Sequence, residues 1–300
     1  MAVVLITGYR LSEPWNKSIF YVIFVAKDCL PMTDMGELKL DFIVAGPQRT
    51  ATSWLHDRLA RHPEVALPFH VKETFFWDKY FEKGSEWYER FFEETCETAT
   101  VRGEVAPTVF ASDKARVRIR SVSPQCRVVV VLRDPVERML SHYRHELALG
   151  LVRGTLREAV QRDPRILESS RYSKYLPRWR EAFGAERVHC IRYEAIRERP
   201  EKVLRELCGL LGIASGVTFS DLDARPSESS GVRFPGAARV MYRSASLLRR
   251  FHFHRWVDWG KRIGVRKLVQ TATPPSVSDE DRRFAEDALQ EEVRIMKDEV

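Results

Sequence analysis

The chain is poor in cysteine, in long apolar runs and in repeated or low-complexity stretches, and each shortage removes a class of protein. Five cysteines, Cys29, Cys96, Cys126, Cys190 and Cys208, are scattered through 300 residues at wide, irregular spacing. An odd number with no CxxC pair argues against a disulfide framework and against a zinc ribbon. Cys126 and Cys190 flank or sit in apolar runs, where a thiol serves as a small buried hydrophobe. The longest near-apolar stretch, Ser18 to Ala26, falls well short of the roughly 20 residues that a membrane span needs. It also lacks a leading basic cluster and a small-residue cleavage site, so no secretory signal is expected. These shortages point to a soluble protein of a reducing, cytoplasmic compartment.

What is present is globular in kind. Hydrophobic residues make up 44% and charged residues 30%, with seven Trp and sixteen Phe, which excludes a disordered, collagen-like or coiled-coil chain. A chain this long buries roughly three-quarters of its unfolded surface, enough to fold without disulfides or a structural metal. Lys and Arg number 49 against 42 Asp and Glu, a net charge of +7. That excess leans towards an anionic ligand, with nucleic acid as the alternative partner.

Residues 1–37 differ from the rest: aromatic-rich, broken by Pro14 and Pro31, and without helical or strand period. A start codon assigned too early accounts for them as well as a functional arm does. From residue 38 onwards the pattern is that of one α/β domain. Leu40–Ala45 and Val65–Leu67 read as short strands. Arg127–Leu132 (RVVVVL) is a β-branched run of the kind buried on both faces. After Asp134-Pro135, Val136, Met139, Leu140, Tyr143 and Leu147 recur at helical spacing, with Pro135 suited to the first turn. Tyr172–Phe183 reads as helix, Arg187–Arg192 as strand and Pro200–Leu211 as helix. Strands alternating with helices predict a central parallel sheet flanked by helices on both faces. Ser215–Gly236 is a long Ser/Gly/Pro-rich connection, the length at which loops are functional or disordered. Arg239–Lys267 mixes bases with Phe and Trp, and Ser278 opens a last helix running to Met296.

The turn after the first strand reads Gly46-Pro-Gln-Arg-Thr-Ala-Thr-Ser-Trp54. A strand, a tight turn with hydroxyls and a base, then a helix makes an anion site from backbone N–H groups and the helix dipole. A nucleoside-triphosphate loop needs GxxxxGK[ST]. Here Ala51 and Thr52 stand where its second Gly and its Lys belong, which disfavours a Walker-type ATPase or kinase. By itself the loop is equally a strand–helix turn that contains an Arg. Downstream, Arg133-Asp-Pro-Val-Glu-Arg-Met-Leu-Ser141 places a guanidinium at a strand end and a hydroxyl in the next helix. Such a pair suits a dianionic phosphate, one by charge and one by hydrogen bond.

The two segments together resemble the sulfotransferases that use 3′-phosphoadenylyl sulfate (PAPS), in particular the bacterial and heparan sulfate or carbohydrate type. Gly46–Trp54 is similar to their 5′-phosphosulfate loop, with Arg49 in place of Lys and Ala51 in place of Gly. Arg133 and Ser141 match their 3′-phosphate site. Lys72-Glu73-Thr-Phe-Phe-Trp77 resembles a KExxFF segment whose Glu is the catalytic base. Gly103-Glu-Val-Ala-Pro107 resembles GEK[ST]P, with Val105 in place of Lys. Tyr172, with Trp179 seven residues on, matches a helix whose Tyr lies near the adenine. The resemblance covers about residues 40–300 and implies a P-loop-like sulfotransferase fold.

The resemblance also implies roles. Glu73 takes the acceptor proton and Arg49 supplies charge at the leaving oxygen. Arg49, Thr50, Ala51, Thr52 and Ser53 hold the 5′-phosphate, and Arg133, Ser141 and Tyr172 hold the rest of the nucleotide. Trp54 either stacks on adenine or packs in the core. Arg233, in the Ser/Gly-rich loop, is a further phosphate ligand. PAPS is the implied donor and adenosine 3′,5′-bisphosphate (PAP) the product. A hydroxyl or amine of a carbohydrate, lipid or small molecule is the acceptor. No metal is implied, and His142, His145, His252 and His254 lack carboxylate or Cys partners at ligand spacing. The alternatives are a P-loop-type kinase or NTPase and a nucleic-acid binder using Arg239–Lys267.

Overall fold

The computed structural model describes residues 38–95, 97–215, 231–232, 270–271 and 275–299. Residues 1–37, Arg233 and the basic stretch Arg239–Lys267 lie outside the described residues.

Five strands form one parallel sheet: β1 (Phe42–Gly46), β2 (Val65–Ala66), β3 (Val101–Val105), β4 (Arg127–Leu132) and β5 (Val188–Arg192), in the order β2-β3-β1-β4-β5. Successive side chains of a strand point to opposite faces, and both faces here are apolar. Ile43, Ala45, Val128, Val130 and Leu132 enter one core, while Phe42, Val44, Val105, Val129 and Val131 enter the other. That is why RVVVVL shows no polar alternation.

Helices cover both faces. The second core is closed by α1 (Thr52–Leu59) and, further on, by the helices Tyr193–Glu198 and Pro200–Leu211. The first is closed by an aromatic segment from Phe76 to Phe92, which contains α2 (Ser85–Glu89), then by α3 (Asp113–Val122) and the helix Tyr172–Phe183. The chain continues through α4 (Pro135–Ala148), α5 (Leu156–Arg162), α6 (Arg165–Glu168), α7 (Tyr172–Phe183), α8 (Tyr193–Glu198) and α9 (Pro200–Leu211). A third apolar cluster joins α4, α5 and α6 to α10 (Asp279–Ala288), with Met139, Leu140, Leu156, Ile166 and Ala285 fully buried.

The structure also holds short helices that the apolar pattern does not announce, α2, α5, α6 and α8, and four further differences bear on the site and its support. β3 was not expected as a strand, yet it lies between β2 and β1. Gly103 is what lets it pair there, because a Cβ at this position would sit 2.4 Å from the Phe42 ring. The first strand begins at Phe42 rather than Leu40. α3 was missed because Arg116, Arg118 and Arg120 mask its thin apolar face of Ala115 and Ile119. The closing segment is two helices, α10 and α11 (Gln290–Glu299), separated at Leu289, whose side chain is fully buried.

The topology locates a crevice. From β1 the chain moves to β2 and β3 on one side, then crosses to β4 and β5 on the other. Open parallel sheets bind ligands at such a switch point, outside the carboxyl ends of the strands. The segments that follow β1 and β4 meet there, and these are the two motif-bearing segments.

Candidate active site

The loop between β1 and α1 turns through three left-handed residues, Gly46 (φ 99°), Arg49 (φ 73°) and Ala51 (φ 61°). Gly46 is required twice over: by its φ, and because a Cβ would lie 2.6 Å from the Cα of Pro107. Ala51, where the resembled loop has Gly, carries a conformation that costs an L-residue roughly 1–2 kcal/mol. Neighbours hold the loop in this shape. Arg133 Nη1 donates to the carbonyl of Arg49 at 3.1 Å, and Arg138 Nη1 donates to that of Gln48 at 3.3 Å. Thr50 Oγ1 donates to the carbonyl of Pro47 at 2.7 Å. Among the described residues, α1 has no side-chain cap at its start. An uncapped helix start leaves N–H groups and the positive end of the helix dipole for an anion.

The expected phosphate ligands converge. Arg49 Nε donates to Ser141 Oγ at 3.2 Å, across from the loop to α4. Burial and the neighbouring Arg133 push the Arg49 guanidinium down to about 10, so it stays charged at neutral pH. The Arg133 guanidinium lies 4.5 Å over the Tyr193 ring, and the Tyr172 hydroxyl donates to its carbonyl at 2.9 Å. Tyr172 therefore braces the strand end that presents Arg133. α4 starts where the sequence places it: Asp134 Oδ1 accepts from the N–H of Glu137 at 2.8 Å, and Pro135 occupies the first turn. Trp54 is 6% exposed and packs in the core beneath the loop, with the Arg58 guanidinium 5.5 Å over its ring. That packing accounts for Trp54 without a ligand.

Facing the loop is the segment that carries Lys72 and Glu73. Glu73 Oε1 accepts from Thr108 N at 3.1 Å and from Thr108 Oγ1 in a very short hydrogen bond. Burial pushes the Glu73 carboxyl up to about 7, against the opposing pull of Thr108 and Lys72. The KExxFF-like and GEK[ST]P-like segments are thus brought together by Glu73 and Thr108. Val105 lies in the core and pairs with Val44, so this chain has no charge at that position.

Two groups escaped the sequence reading. Glu104 is fully buried and accepts four hydrogen bonds, from Thr74 N (2.6 Å), Thr74 Oγ1 (2.7 Å), Trp77 Nε1 (3.0 Å) and Tyr88 OH (2.8 Å). It ties the aromatic segment to β3 directly after Glu73. Arg138, also fully buried, bonds Ser170 Oγ (2.5 Å), the Ile166 carbonyl and His142 Nδ1 (3.2 Å) besides Gln48. His142 is a core histidine, and burial beside Arg138 holds its pKa well below the usual range. Neither stands out in the sequence, because β3 (VRGEV) and α4 (PVERMLSHYRHELA) carry other charged residues beside them.

The family model for the sulfotransferase domain matches residues 39–224, and the chain belongs to that family. Bifunctional heparan sulfate N-deacetylase/N-sulfotransferase 1 of Mus musculus is 26% identical over 197 residues, covering 59% of this chain and 22% of that protein. The membrane-associated sulfotransferase kil1 of Dictyostelium discoideum is 30% identical over 121 residues, covering 40% of this chain and 26% of that protein. The chain thus spans about a quarter of the length of these curated relatives. Among solved structures, a sulfotransferase from Alicyclobacillus acidocaldarius superposes with a TM-score of 0.53 at 21% identity, over 62% of this chain and 88% of that one. That likeness shows the shared fold.

Proposed function

We propose that the chain transfers a sulfuryl group from PAPS to a hydroxyl or amine of a carbohydrate, lipid or small-molecule acceptor. The observation that carries this reading is the convergence of Arg49, Arg133 and Ser141 at the carboxyl ends of β1 and β4. The uncapped start of α1 takes the 5′-phosphosulfate, and Arg133 with Ser141 takes the 3′-phosphate. The acceptor oxygen or nitrogen attacks sulfur in line. Its proton passes to Glu73, and the sulfur–oxygen electron pair leaves on the phosphate of PAP. A carboxylate raised to about 7 suits a base working near neutral pH. Arg49 supplies fixed charge beside the leaving phosphate but no proton.

Kinship with a heparan sulfate N-sulfotransferase favours a glucosamine-type amine or a sugar hydroxyl among the acceptors. A reducing, cytoplasmic setting is proposed with it. It is supported by the buried thiols of Cys126 and Cys208, neither of which is in a disulfide. Among the described residues no helix is long and apolar enough to cross a membrane.

The test is calorimetry with PAP, ADP and AMP, followed by labelled PAPS against N-deacetylated heparosan, simple sugars and phenols. A charged hydrogen-bonded 3′-phosphate should favour PAP over AMP by about ten- to a hundredfold. Equal affinities for PAP and AMP refute the donor assignment.

A further inference from the structure

Arg49 is not the only cation at the phosphate loop. Lys72 Nζ donates to Thr52 Oγ1 at 2.9 Å and to Ser53 Oγ at 3.1 Å, the hydroxyls of the first two residues of α1. It arrives from the opposite side, on the segment that also carries Glu73. The two cations diverge. Arg49 is drawn towards Ser141 on α4, whereas Lys72 lies against the start of the helix itself. A positive charge at a helix start repels the helix dipole, so an ammonium whose acceptors among the described residues are two hydroxyls is poorly matched until an anion arrives. Its carboxylate neighbour in sequence offsets only part of this, through space, because Glu73 Oε1 is taken up by Thr108.

We propose that Lys72 is a catalytic residue of this site, its ammonium donating to the bridging oxygen of the donor as the sulfur–oxygen bond breaks. The proposal rests on the PAPS reading above. With the 5′-phosphosulfate on the start of α1, the anion meets Nζ where Thr52 and Ser53 now do. In the transfer step the acceptor–sulfur bond forms and the sulfur–bridging oxygen bond breaks. The electron pair of that bond stays on the bridging oxygen, and the acceptor proton goes to Glu73. Lys72 keeps its proton throughout. Charge on the bridging oxygen is greater in the transition state than in bound PAPS, so this contact acts on rate rather than on affinity. Lys72 and Glu73, adjacent in sequence, thereby serve the two ends of one displacement. Burial pushes the Lys72 ammonium down to about 8, which leaves it protonated for most of the neutral range.

The test is Lys72→Met, which keeps side-chain length without charge, with Lys72→Arg beside it. Three quantities are read on the full chain: PAPS affinity by calorimetry without acceptor, melting temperature, and single-turnover consumption of labelled PAPS. Consumption is followed with water alone and with the best acceptor of the panel. The expected result is PAPS affinity and melting nearly unchanged in Lys72→Met, turnover lower by about a hundredfold, and partial recovery in Lys72→Arg. Unchanged turnover overturns the proposal. A loss of PAPS affinity as large as the loss of rate also overturns it, because Lys72 would then only brace the start of α1. An unmutated chain that fails to separate PAP from AMP refutes the donor assignment instead, and that is read before any variant is made.

Discussion

Replacing Glu104 by Gln alters one atom at the centre of a closed hydrogen-bond set. Oε1 accepts from Thr74 N and Thr74 Oγ1, and Oε2 accepts from Trp77 Nε1 and Tyr88 OH. With the amide oxygen in the Oε1 position, both Thr74 bonds survive and the Tyr88 hydroxyl can rotate to accept from the new NH2. The Trp77 indole N–H cannot do so, since it is a donor only. The opposite amide orientation is worse, because it sets NH2 against the backbone N–H of Thr74. A buried donor without a partner costs roughly 1–3 kcal/mol. Removing a buried charge offsets part of that, since burial raises the Glu104 carboxyl above its ordinary range. A net loss of about 1–2 kcal/mol corresponds to a melting temperature lower by about 2–8 °C for a domain of this size. Thermal melts of Glu104→Gln, Trp77→Phe and the double variant form the assay. Phe has no N–H, so the double variant should be more stable than the sum of the singles by at least about 0.5 kcal/mol. Simple additivity, or a Glu104→Gln chain that melts with the unmutated one, refutes the reasoning.

Glu73→Gln should leave PAP affinity intact and lower turnover about a hundredfold or more. Burial raises the Glu73 carboxyl to about 7 and only its ionised form accepts a proton, so turnover rises with pH through about 7 and that limb should vanish in the variant. Arg133→Ala should weaken PAP about ten- to a hundredfold and AMP less, read by calorimetry. Arg49→Ala should lower PAP affinity and turnover together, and Arg49→Lys should restore turnover in the single-turnover assay. Ala51→Gly relieves roughly 1–2 kcal/mol of left-handed backbone cost and gives back roughly 0.4–1 kcal/mol in chain entropy. Its melting temperature should therefore rise, and Ala51→Val should lower it.

The legible parts of the fold were those where one physical demand dominates. A strand buried on both faces must be apolar throughout, and RVVVVL announces β4. Pro135 and Pro200 announce the first turns of α4 and α9. β3 was hidden because its sequence, VRGEV, answers two demands that have nothing to do with strand propensity. Gly103 makes room for Phe42, and Glu104 anchors the aromatic segment. α5 announces itself through its caps rather than its apolar pattern, with Thr155 and Glu158 forming a capping box. In the site, the loop and Arg133 with Ser141 were readable because their residue types suit phosphate. Lys72 was passed over because a Lys beside a Glu reads as an ion pair, and only the fold reveals hydroxyl acceptors from a helix twenty residues earlier.

The loop between β1 and α1 is held from behind, by Arg133 and Arg138 on the carbonyls of Arg49 and Gln48. Fixing a backbone residue costs roughly 1–2 kcal/mol of entropy, and in this loop that cost is met when the chain folds. Nucleotide capture then has no ordering step at the loop to wait for. Association should follow one exponential whose rate grows in proportion to ligand concentration, without the plateau that a slow rearrangement imposes. The same bracing sets a limit on drift in the sequence. Loss of the Arg138 guanidinium would leave every residue assigned to the phosphates in place and return the entropy cost to each binding event.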